Sequence, residues 1–111
     1  MKKYPIDKVS YETSRTEYLD NDVVDVWLTR IACEDEAFTF DPPLPVVVTI
    51  DHEEDLNLWA RVDLAVGCVV AMEHSMEATL SRLAQRLLEA RDENALEAKF
   101  FQNRFQPVAP R

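Results

Sequence analysis

The sequence predicts an α+β domain: a three-stranded antiparallel sheet with helices packed on one face, in the order α-β-β-β-α with a short C-terminal helix added. Three observations lead there. Val46-Val47-Val48-Thr49-Ile50 is a β-branched run bounded by Pro45 and Asp51, the composition of a short strand. Leu56, Leu58, Ala60, Val62, Leu64 and Val66 alternate with Asn57, Trp59, Arg61, Asp63 and Ala65, the two-residue period of a half-buried strand. Met76, Leu80, Leu83, Ala84, Leu87 and Leu88 follow Ser75 at helical spacing and form a broad apolar stripe.

Taken in order, residues 1–16 are polar and mixed in charge and read as an N-terminal arm. Residues 17–106 read as one domain and 107–111 as a tail, as a chain of 111 residues suggests. Asp20-Asn21-Asp22 offers side-chain oxygens suited to capping a helix. Val23, Val24, Trp27, Leu28 and Ile31 then recur at helical spacing. As a strand, this stretch would place Arg30 on one face with Val24, Val26 and Leu28, so a helix over 20–33 fits better. Glu34-Asp35-Glu36 is a polar break, and Phe38-Thr39-Phe40 alternates as a first strand. Pro42, Pro43 and Pro45 suggest a rigid connection, since proline donates no ladder hydrogen bond.

His52-Glu53-Glu54-Asp55 then becomes a hairpin connection between strands 45–50 and 56–66. The last of these also admits a helix, through Leu58, Val62, Ala65, Val69, Met72 and Met76. Ser75 can cap the following helix; Glu77 near its start and Arg86 and Arg91 near its end match the helix dipole. Asp92-Glu93-Asn94 breaks it. A last helix over 95–105 carries Leu96, Phe100 and Phe101, and Pro107 and Pro110 end it. A small sheet of this kind leaves edges to be covered or paired with another copy, so a homodimer is expected.

Charge is concentrated in the middle. Net charge is −9, yet residues 17–77 hold fifteen acids against only Arg30 and Arg61. Such a field repels phosphate backbones and argues against direct nucleic-acid binding. Three roles suit it: a solvated acidic surface, a surface that recruits a basic protein segment, or a mimic of nucleic acid.

Candidate chemistry is sparse. Gly67 is the only glycine, which excludes GxGxxG and GxxxxGK phosphate loops. His52 lies among acids, but no HExxH follows it. Cys33, His52, Cys68 and His74 stand 19, 16 and 6 residues apart, unlike the close pairs of structural zinc sites. Neither cysteine belongs to a CxxC pair, and both read as reduced thiols. No apolar run is long enough to cross a membrane, and no secretory signal is visible after Met1, so the cytoplasm is the expected compartment. No catalytic residue, metal or cofactor is expected.

The aromatic residues say more. Trp27 sits on the apolar face of the expected first helix with Val24 and Ile31. Trp59 falls on the opposite side of its strand from the leucines, beside Arg61, a pairing typical of interface anchors.

The succession of a short helix, Phe38-Thr39-Phe40-Asp41, Val46 to Asp51, Leu56 to Gly67, and Glu77-Ala78-Thr79-Leu80-Ser81-Arg82-Leu83 with Leu87-Leu88-Glu89-Ala90 resembles class I type III secretion chaperones, the Tir-chaperone family. The likeness covers about residues 20–92. It implies a homodimer that holds a segment of a secreted effector extended on its surface without nucleotide. Leu80, Leu83 and Leu87 would build the dimer seam. Val24, Trp27 and Ile31, with exposed strand residues such as Trp59 and Arg61, would hold the effector. The expected activity is therefore binding of another protein, in the manner of a chaperone or adaptor. The alternatives are an acidic inhibitor from a mobile element (an immunity, anti-restriction or nucleic-acid-mimic protein) that blocks a basic enzyme, and a small enzyme or metal protein.

Overall fold

Five of the eleven residues from Val23 to Cys33 are β-branched, and such side chains are stiff at χ1 and favour a pleated surface over a helix. The computed structural model describes residues 4–53, 56–64, 67–92 and 105–107. In it Val23–Cys33 is a strand and not the expected helix. The strand template had failed on Arg30, and the structure removes that objection locally. A register shift between Leu28 and Arg30 reverses the alternation. Val24, Val26 and Leu28 point inward before it, Ile31 and Cys33 point inward after it, and Arg30 turns outward. Thr29 is the extra residue, lying between Leu28, which pairs with Thr13, and Arg30, which pairs with Glu12; one extra residue reverses the facing because side chains alternate with a period of two.

The expected three-stranded sheet with helices packed on one face is thus corrected to a larger sheet with one α-helix among the described residues. Strands β1 (Val9–Tyr18), β2 (Val23–Cys33), β3 (Glu36–Asp51), β4 (Asn57–Leu64) and β5 (Gly67–Glu73) form an antiparallel meander in sequence order. Helix α1 (Met76–Asp92) follows, and a short strand β6 (Phe105–Pro107) pairs with the first part of β3. The residues read as an arm supply most of β1. The expected tail helix over 95–105 lies outside the described residues except for Phe105, which is in β6.

The turns explain themselves. Asp20-Asn21-Asp22 caps no helix. Asp20 Oδ1 instead accepts the backbone N–H of Asp22 (2.7 Å) and Val23 (3.0 Å), closing the β1–β2 turn. Glu34 and Asp35 join β2 to β3 in a two-residue hairpin between the paired Cys33 and Glu36, with Glu34 at φ 55°. Pro42, Pro43 and Pro45 lie inside β3 and not in a connection between strands. They sit by the register shift: Leu28 pairs with Leu44 and Arg30 with Thr39. The ladder with β2 is interrupted at Pro42 and Pro43, where a missing N–H costs no bond to that strand, and it resumes with Leu44 and Pro45. The expected hairpin from β3 to β4 is present, with Asp51 paired to Asn57.

Ser75 caps α1 as expected, its Oγ accepting the N–H of Ala78 at 3.1 Å. The buried Thr79 hydroxyl donates to the Ser75 carbonyl at 2.6 Å. The helix packs against β5, β4 and β1, so the sheet curls around it and both outer strands of the meander reach the same helix. Gln85 Nε2 donates to the Tyr4 carbonyl at 2.7 Å and ties the helix to the residues before β1. The core lies on this covered face: Val24, Val26, Leu28, Val46, Val48, Ala60 and Val62 from the sheet meet Leu80, Leu83, Ala84, Leu87 and Leu88 from α1. The Arg91 guanidinium lies 4.3 Å from the centre of the Phe38 ring and closes one end of it.

Candidate functional site

Alternation along the strands sends every second residue to the face that α1 leaves open. Pairing then decides which of them meet. On that face β3 presents Pro45, Val47 and Thr49. Trp27 of β2 pairs with Pro45, and Trp59 of β4 pairs with Thr49. Val47 is therefore a diagonal neighbour of both tryptophans, a spacing of roughly 7–8 Å that large rings can span. Val47 is 40% exposed and Trp59 44% exposed. Trp27 is half-buried, because Arg15 of the adjacent β1 lies over it, with Cζ 4.5 Å from the ring centre. The apolar ledge continues to the edge of the sheet: Met72 pairs with Trp59, and Val70 with Arg61.

Charged groups surround this ledge. Asp25 and Glu17 face each other across β1 and β2, and Glu17 also pairs with Arg15. Arg61, opposite Val47, gives its Nε–H to Asp63 Oδ1 at 2.7 Å. That carboxylate holds the exposed guanidinium's pKa above its usual value. Arg30 reaches Glu12 at 3.4 Å further along the same side. The result is an apolar ledge with a tryptophan on either flank, bounded mainly by carboxylates, some of which already engage an arginine.

The structure divides the residues singled out from the sequence. Trp59 and Arg61 share the open face, as expected, and Trp27 joins them there. Val24 and Ile31, expected beside Trp27, are buried in the core. Leu80, Leu83 and Leu87, the expected dimer seam, are buried against the sheet of their own chain. Sequence reasoning missed Arg15, assigned to the arm, and Val47, concealed in an unbroken β-branched run. The proline-rich approach to that run gave no hint that Pro45 stands opposite Trp27.

The polar residues considered for metal binding lie apart. Cys33 is buried at the end of β2, and Cys68 is exposed on β5. His52 Nε2 lies 3.0 Å from the Asn21 carbonyl and 3.2 Å from Asp22 Oδ1, bridging two turns. His74 Nδ1 lies 3.2 Å from the Leu56 carbonyl. Among the described residues no three of the His, Cys, Asp and Glu side chains converge on a point that could hold a metal ion. No helix among them is long and apolar enough to cross a membrane.

No protein-family model, curated protein or solved structure matches the chain.

Proposed function

We propose that this chain is a protein-binding module of the chaperone or adaptor kind, which takes a segment of a partner polypeptide on the open face of its sheet without nucleotide or cofactor. The observation that carries this reading is the placement of Val47 between Trp27 and Trp59. The exposed face of an antiparallel sheet is ordinarily polar. Here Val47 and two tryptophans put apolar surface next to Asp25 and Arg61, the direct cross-strand partners of Val47, and tryptophan and arginine are the side chains that most often dominate interface energies. The bounding acids Glu17, Asp25 and Asp63 favour a segment that alternates apolar residues with lysine or arginine. Cys33 and Cys68, which form no CxxC pair, suit a reducing compartment such as the cytoplasm.

A photo-crosslinking residue at position 47, introduced in the native host, tests the reading. The expected result is a discrete adduct with another protein, lost in the Trp27→Ala/Trp59→Ala double variant. Complex formation by the purified pair should survive raised salt, because burial of apolar area provides most of the affinity. A crosslinker that yields no adduct on folded protein overturns the reading. A complex that dissociates steeply with salt and blocks a basic enzyme would transfer the role to the acidic surface, as the inhibitor alternative requires.

A further inference from the structure

The two outer strands of the meander are unlike. Strand β1 carries Glu12, Arg15 and Glu17, and its register shifts twice between Glu12 and Arg15. Charges and bulges are the devices by which natural edges discourage pairing. Strand β5 has neither. From Gly67 to Met72 it reads Gly-Cys-Val-Val-Ala-Met without a charge, and its register with β4 is regular over all seven residues. Its single charge, Glu73, lies at the end, where Arg82 Nε is 3.5 Å from its carboxylate. Among the described residues β5 pairs only with β4. A regular, uncharged strand leaves a row of backbone N–H and C=O groups able to receive another strand.

We propose that the partner at this edge is a second copy of the chain, added through antiparallel pairing of β5 with β5 about a two-fold axis at Val70. A two-fold interface must be self-complementary, and β5 satisfies this. Centred on Val70, all seven residues pair: Val70 with Val70, Val69 with Ala71, Cys68 with Met72, and Gly67 with Glu73. No like charges meet, and each residue opposes one on its own face of the sheet. The self-pairing also makes the open ledge continuous. Trp59 pairs with Met72 within each chain, and Met72 would oppose the partner copy's Cys68. The two ledges would thus run into one surface on a joined sheet. This junction stands whether or not the ledge binds a polypeptide.

The test uses the full chain. Sedimentation velocity over a concentration series should show a reversible dimer. Val70→Lys, which sets two cations across the axis, should remain monomeric with an unchanged far-UV spectrum. In a Cys68→Ser background, Val70→Cys should give a disulfide-linked dimer under mild oxidation, because directly opposed residues have Cα atoms about 4.5–5.5 Å apart, within disulfide reach. Val47→Cys in the same background should not. A wild type that is monomeric at every concentration, a Val70→Lys variant that still dimerises, or a Val70→Cys variant that fails to crosslink overturns the proposal. Trp27→Ala should abolish partner capture and leave the dimer intact, which separates failure at this edge from failure of the binding face.

Discussion

The two faces of this sheet are built from the same alternating strands, yet they differ in what they do for the protein. On the covered face Val46 and Val48 are almost fully buried, while Val47 between them is 40% exposed. Three identical residues in a row therefore have two different roles, and the only variable is which side α1 occupies. Stability belongs to the covered face. The open face buries less and is the one we propose for recognition.

Substitutions can break that contrast or sharpen it. The largest expected effect is on the covered face, where Leu83→Ala, at a residue with no exposed surface, should cost about 3 kcal/mol by urea denaturation, from lost transfer energy and the cavity left behind. The sharper experiment compares neighbours. Val48→Ala should cost about 2 kcal/mol, and Val47→Ala should cost about 0.5 kcal/mol or less. Equal losses at the two positions would show that something covers the open face in the free protein. Arg15→Ala, which removes the cation above Trp27, should lower stability by about 0.5 kcal/mol and shift tryptophan fluorescence as that ring gains solvent.

The smallest effect lies where β1 meets α1. Tyr11 titrates above the usual tyrosine value, chiefly because it is partly buried and secondly because Glu77 is near. The folded state thus retains its proton to higher pH than the unfolded chain does. Stability should fall as pH rises above about 10, the unfolded value. Tyr11→Phe should flatten that part of a urea-midpoint profile, and an unchanged profile would place Tyr11 in solvent.

Much of the sheet's centre was legible in the sequence. Alternation marks a strand over 57–64 of the expected 56–66, of which 65 and 66 lie outside the described residues; the β-branched run at 46–50 also marks a strand, and Ser75 marks the start of a helix. The misassignment of 20–33 has a specific cause. Asp20 accepts backbone N–H groups two and three residues ahead, the same hydrogen bonds that a helix cap makes, so the signal at Asp20-Asn21-Asp22 fits both outcomes. The second cause is the register shift after Leu28, which lets Val24, Leu28 and Ile31 satisfy a helical template while lying on one face of a strand. Strand β1 was missed because its only apolar inward residues near the helix are Val9 and Tyr11, too few for a period to show. The candidate site was half visible. Trp59 and Arg61 follow from alternation within one strand, but uniting them with Trp27, Val47 and Arg15 needs strand order and register, which no local pattern encodes.

Each strand of the meander pairs with its neighbour in sequence, so five strands can assemble as the chain leaves the ribosome. Their greasy side, however, has no cover until the residues of α1 appear, and the bond from Gln85 to Tyr4 joins groups 81 positions apart. A sheet that paired during synthesis would stay uncapped until this late helix docked as its latch.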